Sequence, residues 1–461
     1  MIETPPQMKS QPTVGTLPPV RPPVTTQFTL ASGLEVVAIA RTVAPIVSMS
    51  LMIRSGADID PPGHEGLASA TAEMLDEGAG TRTALEVAED LEQIGADLYV
   101  GAGRDGSQLT LQVPSRELAR ALGTAADVVM RPRLTDEDWS RVQHDRVTAL
   151  AQRRDQPEGV ANLISDRTLF GEGHPYGHPI DGLERSIGDM RAADVRRFHE
   201  QTWRPNNATL VVTGDFDPAA LQAQLERAFG GWQPSDIAAP RPTPPFPALP
   251  RLVLVDRPGA PQSIIRVVGP GEARTSSDRP ALGVLNAILG GSFTSRLNFN
   301  LREQKGYTYG AGSSFGFYRR TGSFTARAAV FTEVTAPAVT EFLREIAAIR
   351  ETPVTATELT KARATLLGRV AEALSTSGGI AAQYAELRLY GLPVDEPARF
   401  VTAIGKAEAS DLQRLAVKHL DAERMAIVIV GDRAAIEKPL RDLGLPEPLV
   451  LDADGARVAA A

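Results

Sequence analysis

A duplicated α+β architecture is predicted by three observations on this sequence. A Pro-rich run from Ala238 to Pro250 divides the chain into near-equal halves, because proline lacks an amide donor and neither continues a helix nor sits in a central strand. Each half closes on an apolar strand that ends in Gly-Asp, Pro205 to Asp215 in the first and Ala422 to Asp432 in the second. Each half also opens on two strands and a helix: Leu34–Ile39 and Ile46–Arg54 before Gly66–Asp76, then Arg251–Val255 and Ser263–Val268 before Arg279–Leu289. A shared order of this kind reads as one unit used twice.

Amphipathic spacing adds longer helices around Ala84–Ile94, Ser115–Met130, Asp136–Arg154, Ala192–Gln201, Val334–Arg350, Ala356–Thr376 and Gly379–Tyr390. The expected division is a Pro-rich N-terminal extension (1–27), a first domain (28–235), an extended linker (236–250), a second domain (251–447) and a C-terminal tail (448–461).

Composition narrows the function classes. With 48 basic and 56 acidic residues the net charge is −8, and the signs are interspersed, so no nucleic-acid footprint is present. No stretch reaches the ~20 apolar residues that span a bilayer. The absence of cysteine excludes disulfides, thiolate metal sites and a Cys nucleophile, and fits either redox compartment. A Pro-rich lead from Thr13 to Pro23 suits a domain tethered behind an export signal, so periplasmic residence is expected, with cytoplasmic residence as the alternative. Neither a Gly-x-Ser-x-Gly elbow nor a phosphate-binding P-loop occurs.

The segment Gly66 to Leu75 has the frame of an H-x-x-E-H zinc helix, but its three working positions read Ser69, Ala72 and Glu73. Residues three and four apart share a helix face, so these three point the same way. A hydroxyl, a methyl and one carboxylate do not supply the three good ligands that catalytic zinc needs. Glu73, Asp76 and Glu77 read as a solvated acidic face, and His64-Glu65 as the loop before the helix.

Several separated stretches, in order, carry a family resemblance: Leu30-Ala31-Ser32-Gly33-Leu34, Arg54-Ser55-Gly56-Ala57, Arg154-Asp155-Gln156-Pro157, His174-Pro175-Tyr176-Gly177-His178-Pro179 with Gly182, Trp203-Arg204-Pro205-Asn206-Asn207-Ala208, and Ser295-Arg296-Leu297 with Leu301-Arg302-Glu303. From about Phe28 to about Asp432 the chain resembles the insulinase/pitrilysin family of zinc metallopeptidases, in particular its two-domain bacterial members, which are similar to mitochondrial processing peptidase subunits. The resemblance implies two homologous α+β sandwich domains, each a mostly antiparallel sheet covered by helices, together forming half of a clamshell.

It also implies a third ligand, a Glu, on the helix ending in Arg154-Asp155-Gln156-Pro157. There the sequence reads Arg146-Val147-Thr148-Ala149-Leu150-Ala151, and Thr148 and Ala149 are taken as the degenerate ligand positions. The family's distal motif, by contrast, is filled: Arg302 and, seven positions on, Tyr309. In the family this pair reaches toward zinc and substrate; a guanidinium offers a rigid fork to carbonyl oxygen, and a phenol donates to a developing oxyanion.

The expectation is therefore a non-catalytic subunit of a heterodimeric zinc metalloendopeptidase. It binds no metal or cofactor itself and supplies Arg302, Tyr309 and half of a peptide chamber to a homologous partner that carries zinc. The alternative is a dead homologue that binds peptides or serves as a structural assembly subunit. The plainer readings of single residues are a surface ion pair of Arg302 with Glu303, a half-buried strand position for Tyr309, a structural turn for His174 and His178, and a loose helix start for Gly290-Gly291-Ser292.

Overall fold

A computed structural model of the chain describes residues 21–239 and 242–458. The first half contains β1 (Thr26–Thr29), β2 (Glu35–Ala40), β3 (Ile46–Ile53), α1 (Leu67–Met74), a short ribbon of β4 (Gly78–Ala79) and β5 (Arg82–Thr83), and α2 (Ala84–Glu92). It continues with β6 (Asp97–Ala102), β7 (Ser107–Pro114), α3 (Leu118–Met130), α4 (Asp136–Arg153), α5 (Pro157–Phe170), α6 (Glu184–Asp189), α7 (Ala192–Thr202), β8 (Ala208–Gly214) and α8 (Pro218–Phe229).

The second half runs β9 (Leu252–Asp256), β10 (Gln262–Gly271), α9 (Arg279–Leu289), α10 (Arg296–Asn298), β11 (Ala311–Phe317), β12 (Gly322–Phe331), α11 (Thr335–Glu351) and α12 (Ala356–Ala373). It ends with α13 (Ser377–Leu389), α14 (Glu396–Lys406), α15 (Ala409–His419), β13 (Ala426–Gly431), α16 (Arg433–Asp442) and β14 (Leu449–Leu451).

Each half builds a six-stranded sheet, in the orders β6-β7-β3-β8-β2-β1 and β11-β12-β10-β13-β9-β14. Element for element these orders match, and the two Gly-Asp strands, β8 and β13, occupy the same place in each. The copies differ at the outer edge. There β1, from the N-terminal side, runs antiparallel to β2, while β14, from the C-terminal side, runs parallel to β9. The segment expected as a tail from 448 is thus, in its described part, a sheet edge, since the edge amides of β9 would otherwise lack partners. Similarly the extension to residue 27 gives up its last residues to β1, and residues 1–20 lie outside the described set.

One face of each sheet is covered by its own half's helices. The other is covered by a helix lent by the opposite half. Val160, Ala161 and Ile164 of α5 pack with Val253, Ile264 and Val428 of the second sheet, whereas Ile380, Ala381 and Tyr384 of α13 pack with Val37, Met52 and Val211 of the first. The exchange means that neither half buries its sheet alone. Helix α5 was not foreseen; Pro157 at its first position pre-sets the backbone for a helical turn, and Gly171 follows its last residue. The linker is docked in its described part, with Phe246 stacked on Phe170 at 5.7 Å between ring centroids.

Buried Asp105, in the loop between β6 and β7, ties the halves together: it accepts hydrogen bonds from the Tyr176 hydroxyl, the Arg319 amide (2.9 Å) and the Tyr390 hydroxyl (2.9 Å). Arg319 also reaches Asp58 at 3.2 Å. Among the described residues no helix is long and apolar enough to cross a membrane.

Candidate functional site

Helix α1 begins where the carboxylate of buried Asp60 accepts from the amides of Gly66 and Ala68, both at 2.8 Å, satisfying donors that a helix start leaves free. Gly66 (φ +94) and Gly182 (φ +83) press together here; a side chain on Gly182 would come within 2.2 Å of the Glu65 carbonyl. The loop after His178 therefore lies directly on the start of α1. His64 and Glu65 sit in the turn before it.

At the degenerate zinc positions the structure places a cation of its own. The Arg146 guanidinium, on α4, forms an ion pair with the Glu73 carboxylate, donates to Ser69 Oγ at 3.3 Å and to the Asp181 carbonyl at 3.0 Å. Its side chain is 9% exposed. The sequence expectation for Thr148 and Ala149 is corrected by this geometry. Thr148 and Ala149 are exposed, with the Thr148 hydroxyl turned onto the His144 carbonyl of its own helix, and the residue opposite Ser69 and Glu73 is Arg146. Ala72, between Ser69 and Glu73 on the same helix face, has its methyl fully buried in the first-domain core. A hydroxyl, a carboxylate and a guanidinium do not fit zinc: nitrogen ligands are lacking, and the fixed positive charge opposes a divalent ion.

The row Trp139, Val142, Arg146, Leu150 is buried along α4, so an arginine at four-residue spacing in an otherwise apolar stripe was the available signal.

The other histidine readings resolve as structure. His174 Nδ1 accepts from the Tyr176 amide at 3.0 Å and its ring stacks near Phe170 and Phe246. Burial, with the Arg104 charge adding, pushes its pKa down to about 4, so it is neutral at pH 7. His178 is likewise buried, in the same turn. Glu272, Asp278 and His419 lie close enough together to share an ion, but the Lys418 ammonium already bonds both carboxylates, at 2.8 and 3.2 Å.

In the second half Arg302 and Tyr309 line one open cleft of about 740 Å³ with Arg266, Arg327 and Arg369. Arg302 lies in a π-helical turn, Phe299–Gln304, that continues α10; the Lys305 amide reaches back to the Asn300 carbonyl at 3.0 Å. Such wide turns are rare and concentrate at functional sites. The Arg302 guanidinium lies 4.7 Å from the centre of the Phe293 ring and its Nε is 3.3 Å from Glu303, so the simple ion pair read from sequence is present as well. Tyr309 is 86% exposed and precedes β11, so it is no half-buried strand residue.

Gly290-Gly291-Ser292 closes α9 rather than starting a helix. The Gly290 and Gly291 amides both donate to the Asn286 carbonyl, at 2.9 and 2.7 Å, so they are spent as a cap rather than offered to an anion. A side chain on Gly290 would meet the Ser313 amide at 2.3 Å, which is the close approach that requires glycine. Arg266, Arg327 and Arg369 were not singled out from the sequence; arginine between Ile264 and Val268 in an apolar strand was the clue.

Two family models match the chain: Insulinase (Peptidase family M16) over residues 35–168, and Peptidase M16 inactive domain over residues 189–366. Relatives include an uncharacterized zinc protease of Mycobacterium bovis, 27% identical over 310 residues, covering 66% of this chain and 70% of the relative, and one of Streptomyces coelicolor, 24% identical over 287 residues, covering 61% and 62%. Among solved structures, a peptidase M16 inactive domain from Pseudomonas fluorescens superposes with a TM-score of 0.83 at 24% identity, covering 88% of this chain and 98% of that one. A protease from Helicobacter pylori gives 0.82 at 18% identity, covering 88% and 99%. With the same doubled sheet, the matched models over both halves and these relatives together, the chain belongs to the insulinase family of peptidases, M16.

Proposed function

We propose that this chain is the non-catalytic subunit of a heterodimeric zinc metalloendopeptidase, lending Arg302, Tyr309 and half of a peptide chamber to a zinc-bearing partner. The observation that supports the reading is the contrast between the two sites: in the first half Arg146 occupies the space beside Ser69 and Glu73, while in the second Arg302 and exposed Tyr309 line an open cleft. In an assembled pair the partner's zinc would supply the hydrolytic chemistry. This chain's part is to hold the substrate, with the Arg302 fork on a carbonyl and the Tyr309 hydroxyl donating to the oxygen that gains charge.

Co-expression with a family member that has an intact zinc motif, followed by peptide assays on each chain and on the mixture, tests the reading. Tyr309→Phe or Arg302→Ala in the assembled complex should lower turnover about 100- to 1,000-fold, the usual effect of losing one oxyanion donor. Unchanged turnover in both variants would refute it. A peptide-binding or structural subunit with no role in hydrolysis would instead leave the partner fully active on its own.

A further inference from the structure

The cleft around Arg302 carries more positive charge than a peptide carbonyl requires. Arg266 on β10 stands directly opposite Arg327 on β12 in the sheet register. Like charges directly opposed across two strands destabilise a sheet. Arg266 is nearly fully buried, 4% exposed, and is paired with Glu158 at the first turn of α5. Burial lowers its pKa, and the Arg327 charge adds to the effect. Arg327 has no carboxylate partner among the described residues and is exposed in the cleft, and Arg369 and Arg302 line the same space. Gly312, next in the same row beyond Arg327, leaves that place without a side chain.

The duplicated fold provides an internal control. Val428 lies three residues before the end of β13 and pairs with Arg266; Val211 lies three before the end of β8 and pairs with Ser50, which pairs with Thr110. The same two places in the first sheet thus hold small neutral hydroxyl residues. The sheet itself does not need the arginine pair; Arg266 is answered by Glu158 of α5, so the charge left for a ligand to answer is that of exposed Arg327.

On the reading of this cleft as a peptide site, we infer that it selects peptides by a carboxylate, from an acidic side chain or the C-terminus, held between Arg327 and its neighbours Arg266 and Arg369. A carboxylate here would neutralise an opposed pair that the protein leaves under-compensated and would accept bidentate hydrogen bonds from a guanidinium.

The test uses the full chain alone and fluorescence anisotropy with four versions of one unstructured labelled peptide. Three are amidated, with Ala, Glu or Lys at one central position, and the fourth is the Ala peptide with a free C-terminal carboxylate. At low salt the Glu peptide, the free acid or both should bind about tenfold tighter than the neutral amide, as one charge-assisted hydrogen bond is worth. Which one gains identifies the source of the carboxylate. Arg327→Gln should abolish the preference, Arg327→Lys should keep part of it, and Arg327→Glu should turn it toward the Lys peptide, an inversion that a merely structural role would not produce.

Equal binding of all four peptides, no measurable binding of any, or a Lys preference in the unaltered chain would overturn the inference. Equal binding that Arg302→Ala nevertheless weakens would sink the carboxylate preference alone and leave the peptide site standing. Loss of the turnover effect of Arg302 and Tyr309 variants would instead sink the wider reading.

Discussion

The inner site of the first half is closed by its own charges, whereas that of the second is open and over-supplied with them. In the first, the buried Arg146 guanidinium is compensated by the half-exposed Glu73 carboxylate, and Ser69 and the Asp181 carbonyl take up further guanidinium donors. In the second, four arginines share a cleft whose lining includes one carboxylate, Glu158. The same duplicated scaffold has thus been used once to satisfy a cation internally and once to present cations outward. The difference teaches that a guanidinium taken out of water has its donors met from within the fold, whereas one left at an open cleft does not need this.

Breaking that comparison at its strongest point means making the first half open again. Ser69→His and Glu73→His combined with Arg146→Glu should convert a site with no nitrogen ligands into one that retains stoichiometric zinc, measured by metal analysis after gel filtration. The same two histidines with Arg146 kept should retain none, because the guanidinium occupies the position and repels the ion. If both versions bind zinc equally, Arg146 is not what closes the site.

A smaller effect sharpens which partner depends on the other. Glu73→Ala leaves the nearly buried Arg146 charge without its counter-ion and should cost about 3 kcal/mol, the order found when a buried ion pair loses one member. Arg146→Met leaves Glu73, which is 46% exposed and able to regain water, and should cost only about 1 kcal/mol. Urea unfolding of each variant and of the double measures the asymmetry. Equal losses would mean that the pair contributes as an exposed salt bridge does.

The smallest effect concerns how the open cleft is held. Glu358 caps α12 together with Thr355 and binds Arg296 at 2.7 and 3.0 Å, steadying the helix that leads into the Arg302 turn. Hydrogen bonds from Arg296, ahead of those from Thr355, hold its carboxyl well below its ordinary value of 4.5, down to about 2. Its folded-state pKa is depressed, so the stabilisation is complete above about 4.5 and is lost as pH falls through about 2. Glu358→Gln should therefore cost about 1 kcal/mol at pH 7, allowing for screening at a partly exposed pair. The gap between variant and parent in urea should shrink below pH 4; a gap that persists to pH 2 would show that charge is not its source.

The doubling was legible because it is written in local chemistry: the Pro-rich divider, the two Gly-Asp strands and the repeated strand-strand-helix openings depend on backbone preference and apolar period. That Arg302 and Tyr309 would share one cleft was legible for a related reason, since they lie in one short segment. Ser69, Ala72 and Glu73 could be placed on one helix face, yet the period does not say that Ala72 would be fully buried while Glu73 stays partly exposed, since burial depends on what packs over each position.

What periodicity could not supply was the far side of each contact. Thr148 and Ala149 were chosen by counting along α4, and only the packing of α4 against α1 selected Arg146 instead. The opposition of Arg266 and Arg327 depends on strand register, and the lending of α5 and α13 between halves depends on which apolar face each sheet leaves uncovered. By itself the sequence determined the duplication and put Ser69, Ala72 and Glu73 on one helix and Arg302 and Tyr309 in one short segment. The tertiary structure alone decided that Arg146 meets Ser69 and Glu73 and where the uncompensated charge collected, because both are set by contacts between segments about sixty or more residues apart, where no local preference of the chain reaches.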